Sequence, residues 1–182
     1  SNIVSDGVNL PVQAILIYLS VYLFMNLGAF LVAGLVARET GGEELYDFAG
    51  LGRRAPVLAL TMAAFMFSLI GLPPFAGFVA KLNLMWVIAE NGSWWWIIVA
   101  FIGLNTIFSL YYYVRVLRAM YLETSDKPAL RPNPAGVGLS LACAVMLLAM
   151  FIGFSPFTRL AASASQMTQS PSPAAAATAS LP

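Results

Sequence analysis

Read for its apolar and polar positions, the chain is a series of long uncharged runs parted by short polar segments. Residues 1–13 are polar, carry Asp6 and no basic residue, and read as a lead-in on the outer side. Residues 14–37 are uncharged and apolar, enough for the roughly 20 helical residues that cross a bilayer core about 30 Å thick. Residues 38–54 hold Arg38, Glu39, Glu43, Glu44, Asp47, Arg53 and Arg54, and read as a solvated loop. A run over residues 55–90 follows, too long for one straight crossing and interrupted at Gly71-Leu72-Pro73-Pro74-Phe75-Ala76-Gly77. Proline removes a backbone donor and clashes with the preceding turn. A helix entering at Ala55 is therefore predicted to stop near Gly71, and a second to restart near Ala76, with Pro73, Pro74 and Gly77 marking a break over about 72–77. Asn91-Gly92-Ser93 turns the chain, and Trp94-Trp95-Trp96 forms the aromatic belt of a membrane interface. Further spans are predicted over residues 94–121 and 135–158, joined by a polar loop over 122–134. The Ala-, Ser- and Pro-rich residues 161–182 have the composition of a disordered tail.

The predicted fold class is thus all-α, a polytopic transmembrane helix bundle with one proline-broken helix. Composition agrees: 60% of residues are hydrophobic, 9% are charged, and the mean hydropathy is +0.81. Soluble domains carry about a quarter charged residues. A net charge of +1 offers nothing to nucleic acid. There is no histidine and a single cysteine, Cys143, which excludes an intrachain disulfide, a thiolate metal cluster and imidazole relays within the chain. The chain begins at Ser1 without an initiator methionine and is expected to be part of a longer protein.

Whether residues 55–90 cross once or twice is decided by charge. With one broken crossing, Arg38, Arg53, Arg54, Arg115, Arg118, Lys127 and Arg131 gather on one side, and Arg159 alone lies opposite. The preference for basic loops on the cytoplasmic side favours this arrangement and puts both chain ends on the periplasmic, or equivalent outer, side. Broken backbone at membrane depth must face other helices or water.

The chemistry centres on Lys81, the only charged residue between Arg54 and Glu90. From a water boundary at Glu90 it lies roughly 14 Å deep, near the bilayer midplane. A charged lysine there costs between about 2.5 and over 10 kcal/mol, depending on the scale. Taken out of water, a lysine holds its proton only conditionally, so a change in nearby charge would load or unload it. Carbonyls freed near Gly71 attract the ammonium and the N-terminal end of the second half-helix opposes it; the sequence leaves that balance open. Asn26 and Asn105 come out at similar depth by counting, where they could hold water beside the lysine; Ser68 is a further supporting candidate, and Thr106 and Ser109 stand close to Asn105 in sequence. Blander readings stand beside these. Lys81 could anchor a carboxylate of another chain, mid-span asparagines tie helices together, and the tyrosine run Tyr111-Tyr112-Tyr113 packs at an interface.

Four stretches carry a resemblance: Tyr22-Leu23-Phe24-Met25-Asn26-Leu27-Gly28-Ala29-Phe30, Asp47-Phe48-Ala49-Gly50-Leu51-Gly52-Arg53-Arg54-Ala55-Pro56, the break over 68–81, and Tyr111-Tyr112-Tyr113-Val114-Arg115-Val116. Together they resemble the proton-translocating, antiporter-like membrane subunits of respiratory complex I, NADH:quinone oxidoreductase. Subunit N is resembled most, over its C-terminal four spans of fourteen. The break alone is shared with subunits L and M and with Mrp-type cation/proton antiporters. The resemblance implies that Lys81 is the half-channel lysine of the broken helix, where subunit M relatives have a glutamate; L-type relatives often carry a lysine where Asn26 stands, which implies that Asn26 is not itself a proton carrier. Ala80, Leu82 and Asn83 depart mildly from the usual pattern. NADH, FMN, iron–sulfur clusters and quinone would be handled by partner subunits, with no cofactor in this chain, and neighbouring antiporter-like subunits and the lipid bilayer would be its surroundings. An Mrp-type antiporter subunit, or a structural membrane scaffold without transport, are the alternatives.

Overall fold

The computed structural model describes residues 10–90, 92–125 and 127–153. The expectations for residues 1–9, Arg159 and the tail from 161 lie outside these. All described secondary structure is helical. Helix α1 spans Leu10–Thr40, α2 is one turn at Leu51–Arg54, α3 spans Pro56–Ile70, α4 spans Ala76–Ala89, α5 spans Trp96–Leu122 and α6 spans Pro134–Ile152. Short 3-10 turns at Leu45–Phe48 and Ser93–Trp95 lead into α2 and α5. Helices α1, α5 and α6 are each long and apolar enough to cross a membrane; α3 and α4 are shorter apolar helices. The molecule is an all-helical, multi-pass membrane bundle.

Helix α1 is the central post. Its buried positions Ile17, Val21, Met25, Ala29, Val32 and Val36 recur every three or four residues and form one face. Helix α3 runs antiparallel along that face: the Phe65 ring fills the space a side chain on Gly28 would need, and Ser68 meets Met25. Helix α4 takes over where α3 ends, since Lys81 and Leu84 share a cavity with Leu19 and Tyr22 of α1. The two short helices therefore follow one another along a single length of α1. Helix α6 closes the other side through Ser140, Cys143, Ala144, Leu147 and Met150, and its Gly136 accommodates Leu35. Between apolar helices in lipid, such close approaches at small residues supply the packing that the hydrophobic effect supplies in water. Helix α5 is the outlier: it is largely exposed, and buries only Ala119 and Met120 near its end.

The segment before α3 is more ordered than a solvated loop. Glu39, Glu43 and Glu44 are exposed, but Asp47 is buried, which corrects the expectation for that residue. Lys127 Nζ lies 2.9 Å from Asp47 Oδ1 and 4.4 Å from the centre of the Tyr46 ring. The backbone amide of Glu44 donates to Asp47 Oδ2 at 3.1 Å. Arg54, buried likewise, donates to the carbonyls of Asp47, Ala49 and Pro128. Gly50, at φ +66°, sits where a side chain would press on Ser125, and its amide donates to Ala119 O at 3.0 Å. The charged stretch thus folds into a knot that ties the start of α3 to the end of α5. Its cause is the demand of a buried guanidinium for acceptors, met here by backbone carbonyls.

Candidate functional site: a lysine at a broken helix

The interruption runs from Gly71 to Phe75, with a cis bond between Pro73 and Pro74. Gly71 closes α3 in the left-handed region, at φ +87°, and the amides of Gly71 and Leu72 both donate to Phe67 O at 3.0 Å. This is a glycine-capped helix end, and it leaves the carbonyls of the last turn without helical partners. Lys81 fills that need from the second turn of α4. Its Nζ donates to Leu69 O at 2.8 Å and to Ile70 O at 3.3 Å. Of the two opposing influences, this geometry brings Lys81 Nζ to the carbonyls, at the negative end of α3. A side chain on Gly71 would press on the lysine stem, so this glycine serves both the turn and the lysine. Among the described residues no carboxylate pairs with Lys81.

The start of α4 is held by the same pair of helices. Phe75 offers no side-chain cap, and instead the Gly77 amide donates to Ser68 Oγ of α3 at 3.2 Å. Ser68, fully buried, donates in turn to Met25 Sδ at 3.6 Å. Gly77 lies one residue inside α4, beyond the break itself, and a Cβ on it would run into the Ser68 carbonyl. Two helix ends and α1 are thus locked around one hydroxyl and one missing side chain.

Beside the lysine opens a cavity of about 440 Å³ between α1, α4 and α5. Its polar lining is Lys81 with Tyr18, Tyr22, Asn105, Thr106, Ser109 and Tyr113. Thr106 and Ser109 donate back to Ile102 O and Asn105 O of their own helix, which leaves their oxygens able to accept from water. The cavity thus has donors and acceptors enough to hold water. Of the residues singled out in the sequence, Lys81 and Asn105 meet here. Asn26 does not line the cavity; one position on from Met25 it is turned about 100° round α1, and its Nδ2 donates to Tyr22 O at 2.8 Å. Ser68 likewise stays outside the lining, as a buried cap. Tyr18, Tyr22 and Tyr113 were not singled out for this role. Only Tyr113 of the tyrosine run turns inward, while Tyr111 and Tyr112 stay exposed with their rings 5.5 Å apart. Identical neighbours in sequence carry no signal of which one faces in.

Fold and site define a polytopic helical membrane protein built around a discontinuous helix. The chain belongs to the NADH:quinone oxidoreductase/Mrp antiporter family, whose membrane-spanning region matches residues 4–109. NADH-quinone oxidoreductase subunit N 2 of Sorangium cellulosum is 47% identical over 147 residues, which cover 78% of this chain and 29% of that protein. The chain therefore spans less than a third of the length of this relative. Among solved structures, the Mrp complex from Dietzia aligns with a TM-score of 0.75 at 22% identity, covering 85% of this chain and 37% of the other. Respiratory complex I from Thermus thermophilus aligns with a TM-score of 0.60 at 28% identity, covering 78% and 32%.

Proposed function

We propose that this chain is the C-terminal part of a subunit N of respiratory complex I and that Lys81 carries protons through a half-channel within it. The observation that bears the reading is the position of Lys81, suspended between the bare carbonyls of α3 and a polar cavity. Protonated, its ammonium donates to Leu69 O and Ile70 O. Having given up a proton it has less to hold it there, and the amine can turn towards water held by Asn105, Thr106, Ser109 and Tyr113. A hydrogen bond from a charged donor is worth about 1.5–3 kcal/mol, so proton loss and side-chain release are coupled by an energy that a nearby charge can supply. Electron transfer from NADH through flavin and iron–sulfur clusters to quinone belongs, on this reading, to other subunits. The bacterial relative supports placement in a bacterial inner membrane beside other antiporter-like subunits. The succession of α3 and α4 along α1 supports one broken crossing, four in all, and the gathering of basic residues in the two long loops supports periplasmic chain ends.

The test is Lys81→Met in the assembled complex. Proton yield per NADH oxidised is expected to fall with assembly kept, and a normal yield in the assembled variant would refute the role. A cation/proton antiporter is the second reading, favoured by the fold shared with the Mrp complex. Isolation of the chain together with flavin- and iron–sulfur-containing subunits excludes it.

A further inference from the structure

On the opposite side of α3 from α1 runs a second cavity, about 420 Å³, between α3 and α5. Leu60, Ala63 and Phe67 form one wall, and Val114, Leu117 and Leu122 the other. From Leu60 to Phe67 it extends roughly 10 Å along α3. Its polar groups, Arg118 and Tyr121, stand in the last turns of α5. That end of the bundle also carries Arg53, Arg54, Arg115 and Lys127, together with the acids Glu39, Glu43, Glu44, Asp47 and Glu123, so the groove opens at the end where the basic residues gather among acids. Arg54 and Lys127 are committed to Asp47 and to backbone carbonyls. Arg118 is exposed and has no ion-pair partner among the described residues.

We infer that this groove binds a phospholipid of negative net charge, its acyl chain lying along Leu60, Ala63, Phe67, Val114 and Leu117 and its phosphate held by Arg118. Charge and shape both point to that occupant. A guanidinium presents a fork of donors that matches phosphate, and basic pockets between membrane helices on the basic side take anionic headgroups. A covering protein helix would instead leave Arg118 in apolar surroundings unless it brought its own acid. A phospholipid brings anion and hydrocarbon in one molecule.

The experiment uses the intact membrane assembly containing this chain, stripped of lipid and returned to phosphatidylcholine vesicles doped with phosphatidylglycerol. Phosphatidylglycerol retained on the chain is counted by native mass spectrometry. Retention is expected in the parent protein and in Arg118→Lys, with affinity roughly tenfold or more weaker in Arg118→Gln, which loses the charge, and in Val114→Trp, which fills the groove. Inorganic phosphate is expected not to displace the lipid, because it lacks the chain. A photo-crosslinking residue placed at Leu60, which is 66% exposed, is expected to capture phospholipid. Equal retention in Arg118→Gln and Val114→Trp, displacement by phosphate, or capture of a polypeptide at position 60 would each overturn the inference.

Discussion

Adding one methyl group at Gly77 tests how closely the lysine's position depends on the two helix ends. In Gly77→Ala the new Cβ falls on the Ser68 carbonyl, which is backbone and cannot turn aside. Helix α4 must withdraw from α3 by a distance on the order of an ångström to restore ordinary contact. Overpacking of this kind costs about 1–3 kcal/mol. The same movement lengthens the Gly77 N to Ser68 Oγ bond, already 3.2 Å, and the Lys81 Nζ to Ile70 O contact, already 3.3 Å. Both then pass the range in which a hydrogen bond counts. The lysine keeps its chemistry but loses one of its two carbonyl partners. Proton yield is therefore expected to fall in the assembled complex although Lys81 is intact, with stability in mixed micelles lowered by about 1–3 kcal/mol. Ser68→Ala separates the two effects, because it removes the cap without adding volume. Unchanged proton yield and unchanged stability in Gly77→Ala would refute the claim that α3 and α4 are clasped at this point.

The knot ahead of α3 gives further expectations. Arg54→Ala leaves the carbonyls of Asp47, Ala49 and Pro128 without their charged donor, and should destabilise the protein by about 2–4 kcal/mol in a denaturation series. Lys127 beside Asp47 holds its carboxyl below the ordinary carboxylate range, helped by the Glu44 amide and Arg54 and opposed by burial. A carboxyl with a depressed folded value stabilises fully above its unfolded value, near 3.9, and loses that contribution as pH falls through the folded one. Acid titration should accordingly loosen this segment below about pH 4, and Asp47→Asn should remove that acid-dependent step when followed by amide exchange around residues 44–54.

Much of this architecture is written in the chain. Uncharged length dictates membrane helices because no other open structure satisfies its backbone in lipid. Pro73 and Pro74 dictate the break because neither can donate within a helix, and a lone lysine in thirty-odd apolar residues announces itself by its desolvation cost. What tertiary structure alone decided is which way each residue faces. In a membrane helix the lipid side and the packed side are both apolar, so the amphipathic pattern that reveals orientation in soluble helices is weak. Asn105 reached the lysine's cavity and Asn26 did not, Tyr113 turned in while Tyr111 and Tyr112 turned out, and Ser68 became a cap for a helix nine residues further on. Each outcome follows from rotation of about 100° per residue and from contacts between helices far apart in sequence, neither of which local composition encodes. The same holds for the lysine itself: its isolation among apolar residues was legible, but its choice of Leu69 O and Ile70 O required α3 and α4 to be laid end to end against α1.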